Sequence, residues 1–510
     1  MPLGLTDLPL ELLPQLLEPL VRRQDLCAAS LVCRAWREVG QSLLFRWVRL
    51  FGRDLAVAST LFTVLAENPH LAALVRTLEV RVYPLSMILK ERLEMEELAC
   101  RMLRNLVNLT SLVWTRKGAL TDRVFEAIKT LPHLERFELN AHTNLSPGSW
   151  DADHLLDLPP LRSISLILPD RNIANALPSF LTRQRERAGS DDEPLRLEEF
   201  SFLCRESTII SDKIVSSLTP ALSRSNLHSL AFAGCSKLSG ASLLPLLPEL
   251  PHLRNLALEA CNLDPSFFTL AASSLTRLHS LKLTHPGPRH PTLPAFFPAL
   301  ENLLEQMKEL TAFTLYHSGA SSTGRREWPV LPESFVEHLS ETVGPRLRKF
   351  EVSGVLMSVD GVEMLTGGAR GLRNFVLHLG QEFDLPRLTA AFAPLSSLRT
   401  LHILSQRSDI SPHDVLGLAE QCHTTLRQIG FRNRVWIVKR TFPSPSPSSS
   451  PSPSGGASGD EPVRPKVRFL ETAAAFGAYR RNRYGAEDDV ETEVEDFGES
   501  GGESSEDEQE

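Results

Sequence analysis

The stretch Leu227-His-Ser-Leu230-Ala-Phe232-Ala-Gly-Cys235 returns almost unchanged as Leu253-Arg-Asn-Leu256-Ala-Leu258-Glu-Ala-Cys261. Within each copy the last two apolar residues before the cysteine motif are two apart, so an extended backbone turns both to one side and the residue between them to the other. Leu227 and Leu253, three positions earlier, turn inward at the strand entrance. Outward from these copies, the spacing L-x-x-L-x-L, with Val, Ile, Phe or Trp admitted for Leu, begins at Val75, Leu109, Leu134, Leu161, Leu197, Leu227, Leu253, Leu278, Leu310, Leu347, Leu372, Leu398 and Leu426. Most intervals run 25 to 28 residues, and longer ones hold insertions such as 183–192 and 318–326. Capped helical patterns lie between the apolar triplets. Thr121 precedes Val124, Phe125, Ile128 and Leu131, and Ser411-Pro412 precedes Val415, Leu418 and Ala419. One strand and one helix cannot bury their own apolar faces, whereas a stack of such units can.

Over residues 51–440 this pattern resembles the leucine-rich repeat family, with Cys235 and Cys261 where the family places Asn or Cys. The other units carry residues such as Lys117, Pro169, Ser318 and Gln406 there. The resemblance implies an α/β fold, an irregular, curved solenoid of parallel strands with about 12–13 repeats.

Residues 1–50 lie outside the repeat. Asp25 is placed to cap a helix in which Leu26, Ala29, Cys33 and Trp36 share one face, with Leu31, Ala35 and Val39 as a second apolar row. A piece this small cannot bury two faces by itself, so it calls for a partner. The order Leu8-Pro9-Leu10-Glu11-Leu12-Leu13, then Asp25-Leu26, then Ser30-Leu31-Val32-Cys33-Arg34-Ala35-Trp36 resembles the F-box. That resemblance implies an all-α N-terminal F-box that docks on the Skp-type adaptor, and through it a cullin, in an SCF-type ubiquitin ligase. The family's contact positions fall on Leu8, Pro9, Leu12, Leu16, Leu20, Leu26, Leu31, Val32, Cys33 and Trp36. Pro14 and Pro19 interrupt the first helix, where an interior proline costs about 3 kcal/mol, and shorten or kink it. Leu16 stands for a commoner Ile, and Cys27 for a commoner aliphatic residue.

No enzyme constellation appears. Gly319-Ala-Ser-Ser-Thr-Gly324 has the glycine spacing of a phosphate loop, but Arg325-Arg326 stand where Lys and Ser/Thr are required, and Glu327-Trp328-Pro329 opposes the helix that should follow. His285 and His290 bracket a proline-rich turn without a nearby Cys or carboxylate. C-x-x-C, H-E-x-x-H and G-x-S-x-G are missing, so neither a cofactor nor a metal is expected. The seven scattered Cys, and the lack of an 18-residue apolar span, point to a soluble chain with reduced thiols in the cytoplasm, the nucleus or both.

From Pro443 the composition changes. Of 87 leucines only Leu470 follows Leu426. Residues 441–463 read as a Pro/Ser/Gly linker, 464–485 as a basic stretch able to form a short helix, and 486–510 as an acidic disordered tail. Lys466-Val467-Arg468-Phe469 resembles the docking motif of type-1 protein phosphatase partners, which implies Lys466, Val467 and Phe469 as contacts. Thr492, Ser500, Ser504 and Ser505 each precede an acid by three residues, the pattern an acidophilic kinase modifies.

The chain's formal charge of -8 belongs to that tail, where 13 acids stand without a base; residues 1–440 hold 48 bases and 46 acids. A nucleic-acid surface or a membrane partner is therefore not expected. The expected function is non-catalytic: a substrate receptor whose repeats hold a protein target, or else a repeat scaffold without a ubiquitin role. Target recognition is expected on the strand face opposite the leucines, at Tyr316, Glu351, His378, His402 and Arg432.

Overall fold

The computed structural model describes residues 10–18, 20, 23–50, 55–81, 83, 89–144, 149–187, 195–223, 225–317, 328–441 and 466–471. Each of the thirteen apolar triplets becomes a strand: β2 (Thr77–Val80), β3 (Ser111–Trp114), β4 (Arg136–Asn140), β5 (Ser163–Ile167), β6 (Glu199–Ser211), β7 (Ser229–Lys237), β8 (Asn255–Glu259), β9 (Ser280–Thr284), β10 (Ala312–Tyr316), β11 (Lys349–Ser353), β12 (Asn374–Leu379), β13 (Thr400–Ser405) and β14 (Gln428–Phe431). A further strand, β1 (Trp47–Leu50), precedes them, and β15 (Arg434–Thr441) and β16 (Lys466–Glu471) follow. The sixteen pair strictly in chain order. β1 to β14 are parallel, while β15 and β16 each pair antiparallel to the strand before. The apolar residues of every triplet are buried in one continuous core, shared with the helices that connect the strands.

Local signals account for these connections. Thr121 accepts a hydrogen bond from Val124 N and opens the helix Asp122–Lys129. Ser411 and Asp414 form a reciprocal capping box that opens the helix Pro412–Gln421. Just past the apolar triplets the chain turns through left-handed backbone at two glycines. Gly234 (φ +70°) has no room for a side chain, because a Cβ would lie 2.1 Å from Cys204 O. Gly354 (φ +73°) meets the same limit against His317 O.

Three features depart from expectation. First, the solenoid starts inside the segment assigned to the N-terminal module. Phe45-x-x-Val48-x-Leu50 carries the triplet, and Val48 and Leu50 pair with Leu78 and Val80. Helix α3 (Arg34–Arg46) runs into β1 without a linker. Second, the helix predicted from Asp25 through Trp36 is two. Asp25 lies inside α2 (Arg23–Ala29), and α3 starts after the turn at Ser30–Cys33. Ser30 donates both its N–H (2.9 Å) and its Oγ proton (2.8 Å) to Leu26 O where the first helix ends. Third, Lys466–Glu471 is strand rather than helix. Its β-prone Val-Arg-Phe-Leu core meets the unpaired edge of β15, with Val438 opposite Phe469 and Arg440 opposite Val467. Residues 472–510, including Thr492, Ser500, Ser504 and Ser505, lie outside the described residues, as do 318–327 with the rejected phosphate loop.

Candidate protein-interaction surfaces

The N-terminal module comprises a turn at Leu10–Leu12, α1 (Leu13–Leu17), α2 and α3. Pro14 sits in the first turn of α1, where its missing N–H costs nothing, and the helix is five residues long. Leu17, Leu26 and Ala29 form a small core of their own, with Leu20, Trp36, Val39, Leu43 and Leu44 packed around it. The helices cross closely at Gly40, where a Cβ would lie 2.2 Å from Ser30 Oγ.

This core divides the ten expected adaptor contacts. Leu26 is buried, and Leu20 and Trp36 pack against the same core; Cys33 is half-buried at the start of α3. Leu12 (44% exposed), Leu16 (42%), Leu31 (79%) and Val32 (58%) are the apolar side chains left to solvent. Leu12 and Leu16 are one helical turn apart. Leu31 and Val32 form the α2–α3 turn, their N–H groups held by Ala28 O and Ala29 O. Leu8 and Pro9 lie outside the described residues.

The open strand face is less solvated than its polar sequence suggests. Glu351 is held by Lys349 Nζ at 2.9 Å and by the Thr314 hydroxyl at 3.2 Å. Tyr316 is half-buried. His378 and His402 occupy the outward positions expected of them but are buried, each 6% exposed. His378 Nδ1 accepts from Gly354 N–H at 3.1 Å beneath the edge of Trp328. His402 lies over Gly430 and 3.0 Å from Gln428 Nε2. Burial holds the His402 imidazole down to about 4, against a weaker upward pull from Glu351. Only Arg432, in left-handed backbone at the β14–β15 turn, is exposed among the five.

Sequence reasoning missed a charged network at the other end. Glu79, itself buried, accepts from Trp47 Nε1 at 2.9 Å, Arg49 at 3.2 Å and Arg81 at 3.4 Å. Arg81 reaches on to Glu138, whose carboxyl burial pushes up. Register-matched positions on β1, β2 and β4 bring these together, and β1 was the strand left unread.

The chemistry set aside from sequence stays apart. His285 is buried, accepts from Gly287 N–H at 3.0 Å and is depressed to about 4 by burial, whereas His290 is exposed and bonds Thr292. The Cys261 thiol is pushed up to about 12 by burial, so it stays protonated rather than nucleophilic. Among the described residues no three His, Cys, Asp or Glu converge as metal ligands, and no helix is long and apolar enough to cross a membrane.

The fold thus defines an open leucine-rich-repeat solenoid led by a three-helix module. Residues 5–53 match the family model for F-box-like domains, so this chain carries an F-box-like module joined directly to leucine-rich repeats. Solved structures that align with this chain include an internalin (inlF) from Listeria monocytogenes (16% identity, TM-score 0.30, 65% of this chain and 84% of that one). LegL7 from Legionella pneumophila aligns at 15% identity and TM-score 0.36 over 63% and 90%. Rad7, from its complex with Elc1 in yeast, or its partner, aligns at 14% and 0.38 over 81% and 97%. A search of the curated proteins finds no match.

Proposed function

We propose that this chain is the substrate-recognition subunit of an SCF-type cullin–RING ubiquitin ligase, with the F-box-like module bound to a Skp-type adaptor and the repeats holding a protein target. The observation that carries this reading is the F-box-like match over a module whose own core leaves Leu12, Leu16, Leu31 and Val32 in water. Leu8 and Pro9 join those four as direct contacts, while Leu20, Leu26, Cys33 and Trp36 support them from within the module. The chain then contributes proximity rather than chemistry: it holds a target near a ubiquitin-charged enzyme supplied by other subunits.

Full burial of an exposed leucine is worth about 1.5–3 kcal/mol, so a charge placed at the two most exposed positions removes much of the docking energy. Leu31→Asp/Val32→Asp should weaken adaptor binding at least about 100-fold and leave the thermal midpoint of the repeats unchanged, as read by co-purification and by calorimetry. A folded wild-type chain that does not retain the adaptor overturns the proposal. If the adaptor binds but partners of the repeats keep their lifetimes when the chain is depleted, the protein is a scaffold without a ubiquitin role.

A further inference from the structure

At the entrance of each strand the residue after the first triplet leucine occupies the same place, and its backbone is hydrogen-bonded to the equivalent residue of the unit before. In the last four parallel strands that place is held by Arg348, Arg373, Arg399 and Arg427. Arg373 N bonds Arg348 O, Arg399 N bonds Arg373 O and Arg427 N bonds Arg399 O, each at 2.8 Å. The four side chains are exposed and rise from rungs about 4.8 Å apart. None of them forms an ion pair among the described residues; Arg348 donates to Gly371 O at 3.1 Å. Earlier in the same column Arg162 is neutralised, standing between Glu135 (3.6 Å) and Glu198 (2.9 Å). The turns around Arg373, Arg399 and Arg427 do not supply such partners, because residues 367–380, 393–408 and 421–441 contain no acid, and near Arg348 the carboxylate of Glu351 is already held by Lys349. Like charges stacked on neighbouring rungs repel, so this edge carries a standing positive potential that favours an anionic ligand.

We propose that the arginine edge is a docking site for an acidic peptide and that its occupant is the chain's own segment 486–510. This segment carries 13 acids and no Lys, Arg or His. It is tethered beside the site: β16 lies two strands beyond β14, and fourteen residues separate Glu471 from the start of the segment. Fourteen extended residues span up to about 50 Å, while the five strand spacings from β16 to β11 cover only about 24 Å. Tethering also raises the local concentration of the acids to the millimolar range, enough to populate contacts that would be weak between separate molecules. The site works whether or not the N-terminal module binds an adaptor. It makes the edge an occupied surface that another acidic segment must win by competition.

The test uses a fluorescein-labelled peptide of residues 486–510 and the full-length chain in two forms: native, and with every Glu and Asp of 486–510 changed to Gln and Asn. Anisotropy should show the peptide binding the amide-tailed chain, and binding the native chain at least about tenfold more weakly. Raising the salt from about 50 to about 300 mM should weaken both. In the amide-tailed chain Arg373→Gln/Arg399→Gln should cost at least about tenfold, with an unchanged thermal midpoint showing that the variant is folded, while Arg162→Gln should leave the affinity where it was. Equal affinity for the two tails overturns the cis occupant and leaves the edge to an outside acidic partner. Insensitivity to the Arg373/Arg399 pair, or no binding to the amide-tailed chain, overturns the site.

Discussion

Gly40 shows how far a single residue sets the geometry of the N-terminal module. The approach of α3 to α2 leaves 2.2 Å between an added Cβ and Ser30 Oγ, and that hydroxyl is tied to Leu26 O. Gly40→Ala should therefore lower the stability of the module by about 1–3 kcal/mol, the usual cost of overpacking, visible as faster amide exchange in α2 and α3. Ser30→Ala added to it should recover most of the loss, since the next contact, Ser30 Cβ, lies at 3.3 Å. A double variant no better than the single one would place the strain elsewhere. Nothing in the sequence marks Gly40, since a close helix crossing leaves no periodic trace. Leu31 and Val32 carry a fixed signature that names them as expected contacts, and the α2–α3 turn leaves both exposed. His378 and His402 were legible only as outward-facing; that Trp328 and Gln428 cover them depends on an insertion and on the adjacent strand.

At the scale of elements, the triplet spacing located β2 through β14 because one physical requirement, burial of every second residue, repeats thirteen times. β1 obeys the same requirement at Phe45, Val48 and Leu50 but hides behind a helix that belongs to another signature. β16 lacks the repeat entirely, and its strand form depends on an available edge rather than on local pattern. The join between β15 and the last repeat rests on Arg440. Its guanidinium donates to Ala419 O (2.9 Å), Cys422 O (3.2 Å), Thr424 O (3.0 Å) and Leu426 O (2.9 Å), carbonyls at and just beyond the end of the helix Pro412–Gln421. Those groups have no helical partner of their own. Arg440→Ala should cost about 2–3 kcal/mol and raise amide exchange in that helix and in β15. Arg440→Lys should rescue little, because an ammonium lacks the planar fork that spans two pairs of acceptors. Full rescue by Lys would show that charge alone makes the join.

Across the whole molecule, the continuous core makes stability a sum over units and their interfaces, so a fault in one unit is felt by its neighbours. Two buried histidines give that core a pH dependence. His285 and His402 each sit near 4 in the folded chain, through burial, against 6.5 for an unburied imidazole. The folded state holds them neutral, so stability is full above about pH 6.5. It falls as the unfolded chain takes up protons on the way down to pH 4, by about 3 kcal/mol for each histidine. His402→Gln should flatten the fall of the thermal midpoint between pH 6.5 and 4.5 relative to the native chain; parallel curves would refute the assignment. Charge bookkeeping from the sequence separated the acidic segment from a near-neutral body, yet totals could not reveal that the body's own charges are sorted. Positive charge gathers on one edge of its last units, where the neighbouring turns lack acids.

A stack of parallel strands has no intrinsic last member: each exposed edge is a template for the next copy. β15 reverses direction after β14, and β16 reverses again. Trp436 and Val438 are folded into the core, while Arg432, Arg434 and Lys439 face water. The open side of β14 is therefore already taken by a strand of opposite sense, and a further parallel repeat has no place beside it. One change of strand direction thus closes the run of parallel repeats from within the same chain.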